Sequence, residues 1–147
     1  SIGERADLDG VRTSQAHVEA LIAQEVARGI AAQRVVLAGF SQGGAIALYT
    51  GVRCAERLGG LIGLSTYLVG FDRVTAEASA ANRDVPVFMA HGTYDSVVQL
   101  AWAERSRDAL RAGGWDVEWH VYPIEHSAVI DEIIAAGEFI SEVLNKQ

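Results

Sequence analysis

A serine flanked by glycines is the first pattern in this chain that could support chemistry. Ser41 lies in the stretch Gly39-Phe40-Ser41-Gln42-Gly43, between a short apolar run and a segment of helical character. A G-x-S-x-G sequence between a strand and a helix holds the serine on a sharp, strained turn, where neighbouring glycines avoid Cβ collisions. The backbone N–H of Gln42 would then face the negative charge that develops on an attacked carbonyl. A chance match is the alternative, but the strand-before, helix-after context favours Ser41 as a nucleophile and Gln42 as an oxyanion-hole donor.

An aspartate that follows a later apolar run could orient a catalytic histidine. Asp95 comes after the predicted strand 85–90, through the turn 91–94. A carboxylate there could accept the Nδ1–H of an imidazole, select its tautomer and stabilise the imidazolium. Asp95 could instead cap the helix that begins just beyond it, as Ser96 could. Its position after a strand favours the catalytic role, for which Asp72 is a weaker competitor.

Only one of the four histidines is expected in a loop at the edge of the sheet where the other candidates lie. His126 follows the predicted strand that ends at Tyr122 and precedes the last helix. His17 falls within a predicted helix, His120 falls within a strand, and His91 is interpreted as a structural residue of a turn. His126 is therefore the predicted general base.

Strand and helix patterns alternate along the chain and predict an α/β fold in one domain, residues 1–147. Runs typical of strands cover 34–40, 61–65, 85–90 and 116–122, and the last of these alternates in polarity as an edge strand does. Helices are predicted over 14–28, directly after Ser41, over 98–111 and at the C-terminus, with at most one helical turn in the connection 67–84. This order favours a mostly parallel sheet with helices on both faces and a site at the carboxyl ends of the strands.

Two helical faces are predicted to be apolar. The first predicted helix places one set of apolar residues on one face: Val18, Leu21, Ile22 and Val26. The last predicted helix places a second set on one stripe: Ile130, Ile133, Ile134, Ile140 and Leu144.

Composition narrows the class of protein. The formal net charge is −7 and the lysines and arginines do not cluster, so nucleic acid is not expected as a partner. The apolar runs are too short to span a bilayer, and no signal peptide is recognised. The single cysteine, Cys54, is expected to be buried; it excludes an internal disulfide and favours a reducing, cytoplasmic location. The chain has no Cys/His spacing typical of a metal site.

Several of these segments resemble the phospholipase/carboxylesterase family of α/β-hydrolases, which includes carboxylesterases and acyl-protein thioesterases. The matching stretches are 29–44, Leu64-Ser65-Thr66-Tyr67-Leu68, 91–98 and Tyr122-Pro123 leading to His126. The order serine, aspartate, histidine along the chain is also the order of this fold. The resemblance implies hydrolysis of small-molecule esters with short or medium acyl chains, or of thioesters, without a cofactor. It also implies that Leu68 and its neighbours line the acyl pocket.

The chain departs from the family pattern in two places. Ile124-Glu125 precede His126 where the family carries small, glycine-containing residues, and Glu125 could either act on the base or point into water. Further strands and a His-Gly loop with the second oxyanion-hole N–H precede this region in the family, so the resemblance implies an N-terminally shortened form, the C-terminal portion of the fold. The strand 35–40 would then have an open edge, and a homodimer or another chain is expected to cover it. A non-catalytic partner-binding module is the alternative function.

Overall fold

The computed structural model describes residues 2–147, with side chains described from residue 8 onward. Its helices are α1 (Ile2–Ala27), α2 (Gln42–Arg53), α3 (Val74–Glu77), α4 (Leu100–Ala112) and α5 (Ile130–Asn145). Its strands are β1 (Val36–Phe40), β2 (Gly60–Leu64), β3 (Val87–Gly92) and β4 (Val117–Tyr122). Two 3₁₀ turns lie at Ala32–Arg34 and Phe71–Arg73. None of the helices within residues 2–147 has both the length and the apolar character needed to cross a bilayer.

The four strands form one sheet in the order β1-β2-β3-β4. Each neighbouring pair is parallel, so all four carboxyl ends meet at one edge of the sheet. β2 and β3 lie in the middle and are buried almost throughout, which explains why their sequences are apolar runs rather than alternating ones. The predicted parallel sheet with helices on both faces is confirmed.

Two apolar clusters fill the space on the two faces of the sheet. On one face, residues of α1, α2 and α4, such as Ile22, Leu48 and Leu110, pack against β2, β3 and β4. On the other face, Ala136, Phe139 and Val143 of α5 pack against Ile62, Phe88 and Ala90. Burial of large apolar side chains of this kind contributes roughly 1.5–3 kcal/mol each, so the helices are held mainly by their contacts with the sheet.

The predicted apolar stripe of α5 is confirmed for Ile140 and Leu144, which pack against the cluster on the sheet, and is wrong for its three N-terminal members. Ile130, Ile133 and Ile134 are 70%, 49% and 53% exposed, whereas the buried stripe runs through Ala136, Phe139 and Val143. Phe139 has the largest side chain on this stripe and packs its ring 5.6 Å from that of Phe88. Burial of the large Phe139 ring therefore sets the rotation of α5 more strongly than the number of apolar residues on a face does.

The first helix and the third strand also differ from their predicted bounds. α1 begins at Ile2 rather than at residue 14, and Leu21 and Val26 of its predicted face are exposed while Ile22 is buried. β3 starts two residues later than predicted and continues through His91 and Gly92, because both pair with β4. Cys54 is buried and free, as predicted.

Candidate functional site

Ser41 occupies a strained turn where β1 ends and α2 begins. Its φ of 55° and ψ of −121° lie in a region that residues with a Cβ rarely adopt. The backbone N–H of Ser41 donates to the carbonyl of Leu64 at 2.8 Å, which extends the β1–β2 ladder by one bond. α2 starts at Gln42, so the first N–H groups of that helix have no intrahelical acceptor and face the same space as the serine.

The tight contacts of this turn involve Gly39 and Gly44. A Cβ on Gly39 would lie 2.2 Å from the carbonyl carbon of Gly43, and a Cβ on Gly44 would lie 2.8 Å from the carbonyl oxygen of Gly39. A Cβ on Gly43 would have no described atom within 4 Å outside its chain neighbours and the backbone of its own helix. The expected collision is therefore correct for Gly39 and wrong for Gly43, and the second crowded position is one residue further on.

Gly39→Ala is expected to lower the free energy of unfolding by about 1–3 kcal/mol. The added Cβ would lie 2.2 Å from the carbonyl carbon of Gly43, so the two backbone segments must move apart. Gly43→Ala is the matched control, since it adds the same methyl group to open space in a helix and should change stability by less than about 1 kcal/mol. Denaturant unfolding of the three proteins tests this. Equal losses in both variants would contradict the assignment of the crowded position.

The three candidate catalytic side chains meet at the carboxyl edge of the sheet. Ser41 Oγ lies 3.0 Å from His126 Nε2, and His126 Nδ1 lies 2.7 Å from Asp95 Oδ2. Asp95 Oδ1 accepts the backbone N–H groups of Val97 and Val98 at 2.9 and 2.8 Å. Residues from three separate loops thus form one continuous hydrogen-bonded series. A nucleophile, a base and an orienting acid in this order can transfer a proton from the serine as its oxygen attacks.

The surroundings of Asp95 keep its carboxylate ionised. Burial acts to raise the pKa of Asp95, but the hydrogen bonds from His126, Val98 and Val97 outweigh it, and the pKa lies below its ordinary value. The alternative role as a helix cap does not apply, because α4 begins at Leu100 with Gln99 as its N-cap. Asp72 lies in a 3₁₀ turn and makes no hydrogen bond to a histidine within residues 8–147.

None of the other described histidines contacts Ser41, although His91 Nε2 lies 3.5 Å from Asp95 Oδ2. His91 lies in β3, not in the predicted turn; it is buried, and its Nε2–H donates to the carbonyl of Val98 at 2.7 Å. That bond holds the segment that carries Asp95. His120 in β4 pairs with Glu118, with 2.7 Å between Nε2 and Oε2. His17 lies on the exposed surface of α1.

Ser65 and Thr66, which directly follow β2, connect the nucleophile turn to the histidine loop. Thr66 Oγ1 donates to the carbonyl of Ser41 at 2.6 Å, and Ser65 Oγ donates to the carbonyl of Ser127 at 3.3 Å. Both residues are buried, and Ser65 has a φ of 52°. Two adjacent residues therefore hold the backbones on either side of the Ser41–His126 bond. Sequence reasoning missed them, although polar residues at the end of a buried strand were a usable signal.

The loop that carries His126 is supported from several sides. A Cβ on Gly92 would lie 2.3 and 2.4 Å from the carbonyl oxygens of Ile124 and Glu125, so only glycine allows the loop to approach β3 this closely. The side chain of Glu125 is exposed and forms no ion pair with His126, so it points into water. The ring of Phe40 lies 4.8 Å from that of His126, centroid to centroid.

The buried carboxylate of Glu132 closes this loop at the start of α5. Its Oε1 accepts the backbone N–H of Val129 at 3.3 Å, which is one half of a capping box, since the valine at the N-cap has no side-chain acceptor for the other half. Its Oε2 has no hydrogen-bond partner among the described residues. Burial raises the pKa of Glu132, and the bond from Val129 only partly opposes this shift.

Two grooves lie on the face covered by α1, α2 and α4, and the smaller one reaches Gln42, the residue after Ser41. The smaller groove, about 240 Å³, is lined by Gln42 and by Tyr67 and Val69. The larger groove, about 540 Å³, is also lined by Tyr67 and Val69, and in addition by Leu68. Leu68 is buried, and its backbone N–H donates to Ser106 Oγ at 2.7 Å. Within the described part of the chain, no group of three or more His, Cys, Asp or Glu side chains could hold a metal ion.

Known proteins match this chain over most of its length. The model of the phospholipase/carboxylesterase family matches residues 2–144. An acyl-protein thioesterase 1 of Gibberella zeae is 38% identical over 148 residues, covering 98% of this chain and 63% of the relative. Another of Neurospora crassa is 40% identical over 144 residues, covering 95% of this chain and 58% of the relative. The crystal structure of Arabidopsis thaliana SOBER1 superposes with a TM-score of 0.86 at 27% identity, covering 98% of this chain and 69% of that one.

The two thioesterases are longer proteins, of which this chain spans 63% and 58% of the length. Their similarity nevertheless extends through every segment that positions Ser41, Asp95 and His126. A family match over residues 2–144 shows that the chain belongs to the phospholipase/carboxylesterase family, which confirms the resemblance found in its sequence.

Proposed function

We propose that this protein is a serine hydrolase that cleaves short- or medium-chain carboxylic esters, including thioesters, through an acyl-serine intermediate. The observation that carries the proposal is the hydrogen-bonded series from Asp95 through His126 to Ser41, with 2.7 and 3.0 Å between the bonded atoms. His126 accepts the proton of Ser41 as Oγ attacks the carbonyl carbon, and then donates it to the departing alcohol or thiol. Water repeats the sequence and releases the acid. Asp95 holds the imidazole so that Nε2 faces the serine.

The backbone N–H of Gln42 is the proposed oxyanion-hole donor. Gln42 is the first residue of α2, so its N–H is free of the helix ladder and close to the serine hydroxyl. An oxyanion hole ordinarily has two donors, and loss of one lowers turnover by about 100- to 1,000-fold. The N–H of Gln42 is the one such donor identified among residues 8–147.

The smaller groove is the proposed start of the acyl path. It is lined by Gln42 and continues past Tyr67 and Val69 to the larger groove, where Leu68 contributes to the wall. Since the relatives named above are acyl-protein thioesterases, a thioester is proposed as one substrate class for this chain. A small-molecule ester is the other, because the mainly apolar lining of the larger groove, which includes Leu68 and Val69, suits an acyl chain.

Labelling with a fluorophosphonate tests this proposal directly. We expect the probe to modify Ser41, identified in the peptide that contains it by mass spectrometry, and we expect modification to stop hydrolysis of p-nitrophenyl butyrate and of a butyryl thioester in parallel. Ser96, an exposed serine beside Asp95, serves as the internal control and should remain unmodified. Hydrolysis that continues after complete labelling would reject the acyl-serine mechanism. A probe that does not react at all would favour the non-catalytic module.

The open edge of β1 is the proposed contact with another copy of the chain. β1 pairs only with β2 among the described strands, and Ala38 and Phe40 of β1 are exposed. An unpaired strand of this kind is a template for further strand pairing, most simply across a two-fold axis. Sedimentation should show a dimer at micromolar concentration, and a stable monomer would remove this proposal.

A cytoplasmic location is also proposed, because the single cysteine, buried as Cys54, forms no disulfide within the chain.

A further inference from the structure

The larger groove has a positive lining in a protein that is negative overall. Its walls carry four arginines, Arg12, Arg53, Arg73 and Arg105, and two carboxylates, Asp72 and Glu77. The chain as a whole has a formal net charge of −7. Cations that collect around a concave, mainly apolar surface attract an anionic group into it, even when the rest of the surface repels one.

Three of these arginines already have partners within the protein. Arg53 donates to Glu77 Oε1 at 2.7 Å and lies 3.6 Å from the centre of the Tyr49 ring. Arg73 lies 3.6 Å from the other oxygen of Glu77. An interaction with the side chain of Tyr49 raises the pKa of the Arg12 guanidinium.

Arg105 is different, because no hydrogen bond or ion pair engages its guanidinium among the described residues. It lies in the second turn of α4, and it is exposed. Two large aromatic side chains line the same groove and are unusually open, with Phe71 44% and Trp102 55% exposed. The groove thus offers apolar surface together with a guanidinium that no side chain or carbonyl of residues 8–147 engages.

The geometry points to an acyl chain with a carboxylate at its far end as the occupant of this groove. We propose that half-esters of dicarboxylic acids are substrates, with the methylene chain along Tyr67, Val69 and Leu68 and the distal carboxylate paired with Arg105. This inference rests on the proposed function for the reacting end, since the smaller groove at Gln42 shares Tyr67 and Val69 with this one. Arginine suits the task because its planar guanidinium matches a carboxylate with two parallel hydrogen bonds.

Two esters of equal chain length test the inference. The mono-p-nitrophenyl ester of octanedioic acid carries the carboxylate, and p-nitrophenyl octanoate lacks it. Arg105→Gln is expected to lower the ratio of kcat/KM for the half-ester to that for octanoate by about fivefold to tenfold, mainly through KM, since the charged pair is partly open to water. Arg105→Glu should lower the ratio further by placing a like charge beside the carboxylate.

Arg107→Gln is the matched control on the same helix. The guanidinium of Arg107 pairs with Asp108 and lies 4.7 Å from the centre of the Trp119 ring, away from the groove. The ratio should be the same in this variant as in the wild type. A ratio that is unchanged in Arg105→Gln, or that falls equally in Arg107→Gln, would overturn the inference.

A binding measurement separates this inference from the proposed function. Ser41→Ala protein should bind monomethyl octanedioate more tightly than dimethyl octanedioate in calorimetric titration, and adding Arg105→Glu should reverse that order. If neither p-nitrophenyl ester is hydrolysed but this preference holds, the proposed function fails and the anion site stands. If hydrolysis depends on Ser41 but the two octanedioates bind equally, the anion site fails and the proposed function stands.

Discussion

Ser41→Ala is expected to lower kcat for ester hydrolysis by at least about 10⁴-fold, and His126→Ala is expected to lower it by the same factor. The Ser41→Ala/His126→Ala double variant should be no slower than either single variant. The reason is that the two side chains perform a single step. Without the imidazole, the hydroxyl 3.0 Å away keeps its proton, and without the hydroxyl the imidazole has no proton to accept. Initial rates with p-nitrophenyl butyrate for the four proteins measure this.

Ser96→Ala is the control for this comparison. Ser96 lies on the same edge of the molecule and is exposed, but its side chain takes no part in the bonds that join Asp95 to Ser41. Its loss should change kcat by less than about twofold. Losses that multiply in the Ser41→Ala/His126→Ala variant would mean that the two residues act separately, and the hydrogen bond between them would have no catalytic meaning.

The positions of the candidate side chains could be predicted because they depend on local patterns. The strained turn at Ser41 has a short sequence signature, and Asp95 and His126 each follow a strand that apolar periodicity identifies. In a parallel sheet the ends of neighbouring strands meet, so a prediction of the strands brings these residues to one edge. No knowledge of side-chain packing was needed.

The residues that refine the site could not be found this way, because their roles depend on segments that are distant in sequence. Thr66 meets the carbonyl of Ser41 across 25 positions, and Ser65 meets Ser127 across 62. Gly92 permits the approach of a loop that follows a different strand. A glycine or a hydroxyl residue carries no local signal of which backbone it will contact.

The rotation of α5 shows a second limit of the same kind. Its isoleucines form a good stripe by count, yet Ile130 is 70% exposed, while Glu132, the one charged residue on the buried side, is fully enclosed. Phe139 fits against Phe88, and Glu132 caps the helix by accepting from Val129. Shape and capping at particular positions thus decide an orientation that average hydrophobicity leaves open.

Asp95→Asn is expected to lower kcat by about 10³- to 10⁴-fold while the fold is kept. Asp95 Oδ1 accepts two backbone N–H groups, so the amide oxygen of an asparagine must take that position and its NH₂ must face His126. Nδ1 of the imidazole then has to accept a hydrogen bond, and the proton moves to Nε2. An Nε2 that carries a proton cannot take one from Ser41. Asp72→Asn, which changes the competing aspartate, should leave kcat within about twofold.

Stability provides an independent measurement on the same variant. Because the folded-state pKa of Asp95 lies below its ordinary value of about 3.9, the carboxylate stabilises the fold fully above that value, and this contribution is lost as the pH falls through the lowered pKa. Asparagine lacks the contribution at every pH. The difference in the free energy of unfolding between wild type and Asp95→Asn should therefore be constant above about pH 5 and shrink as the pH is lowered from there through the lowered pKa. A difference that stays constant over this range would show that the ionised carboxylate does not hold the loop, and the imidazole would have to be oriented by some other group.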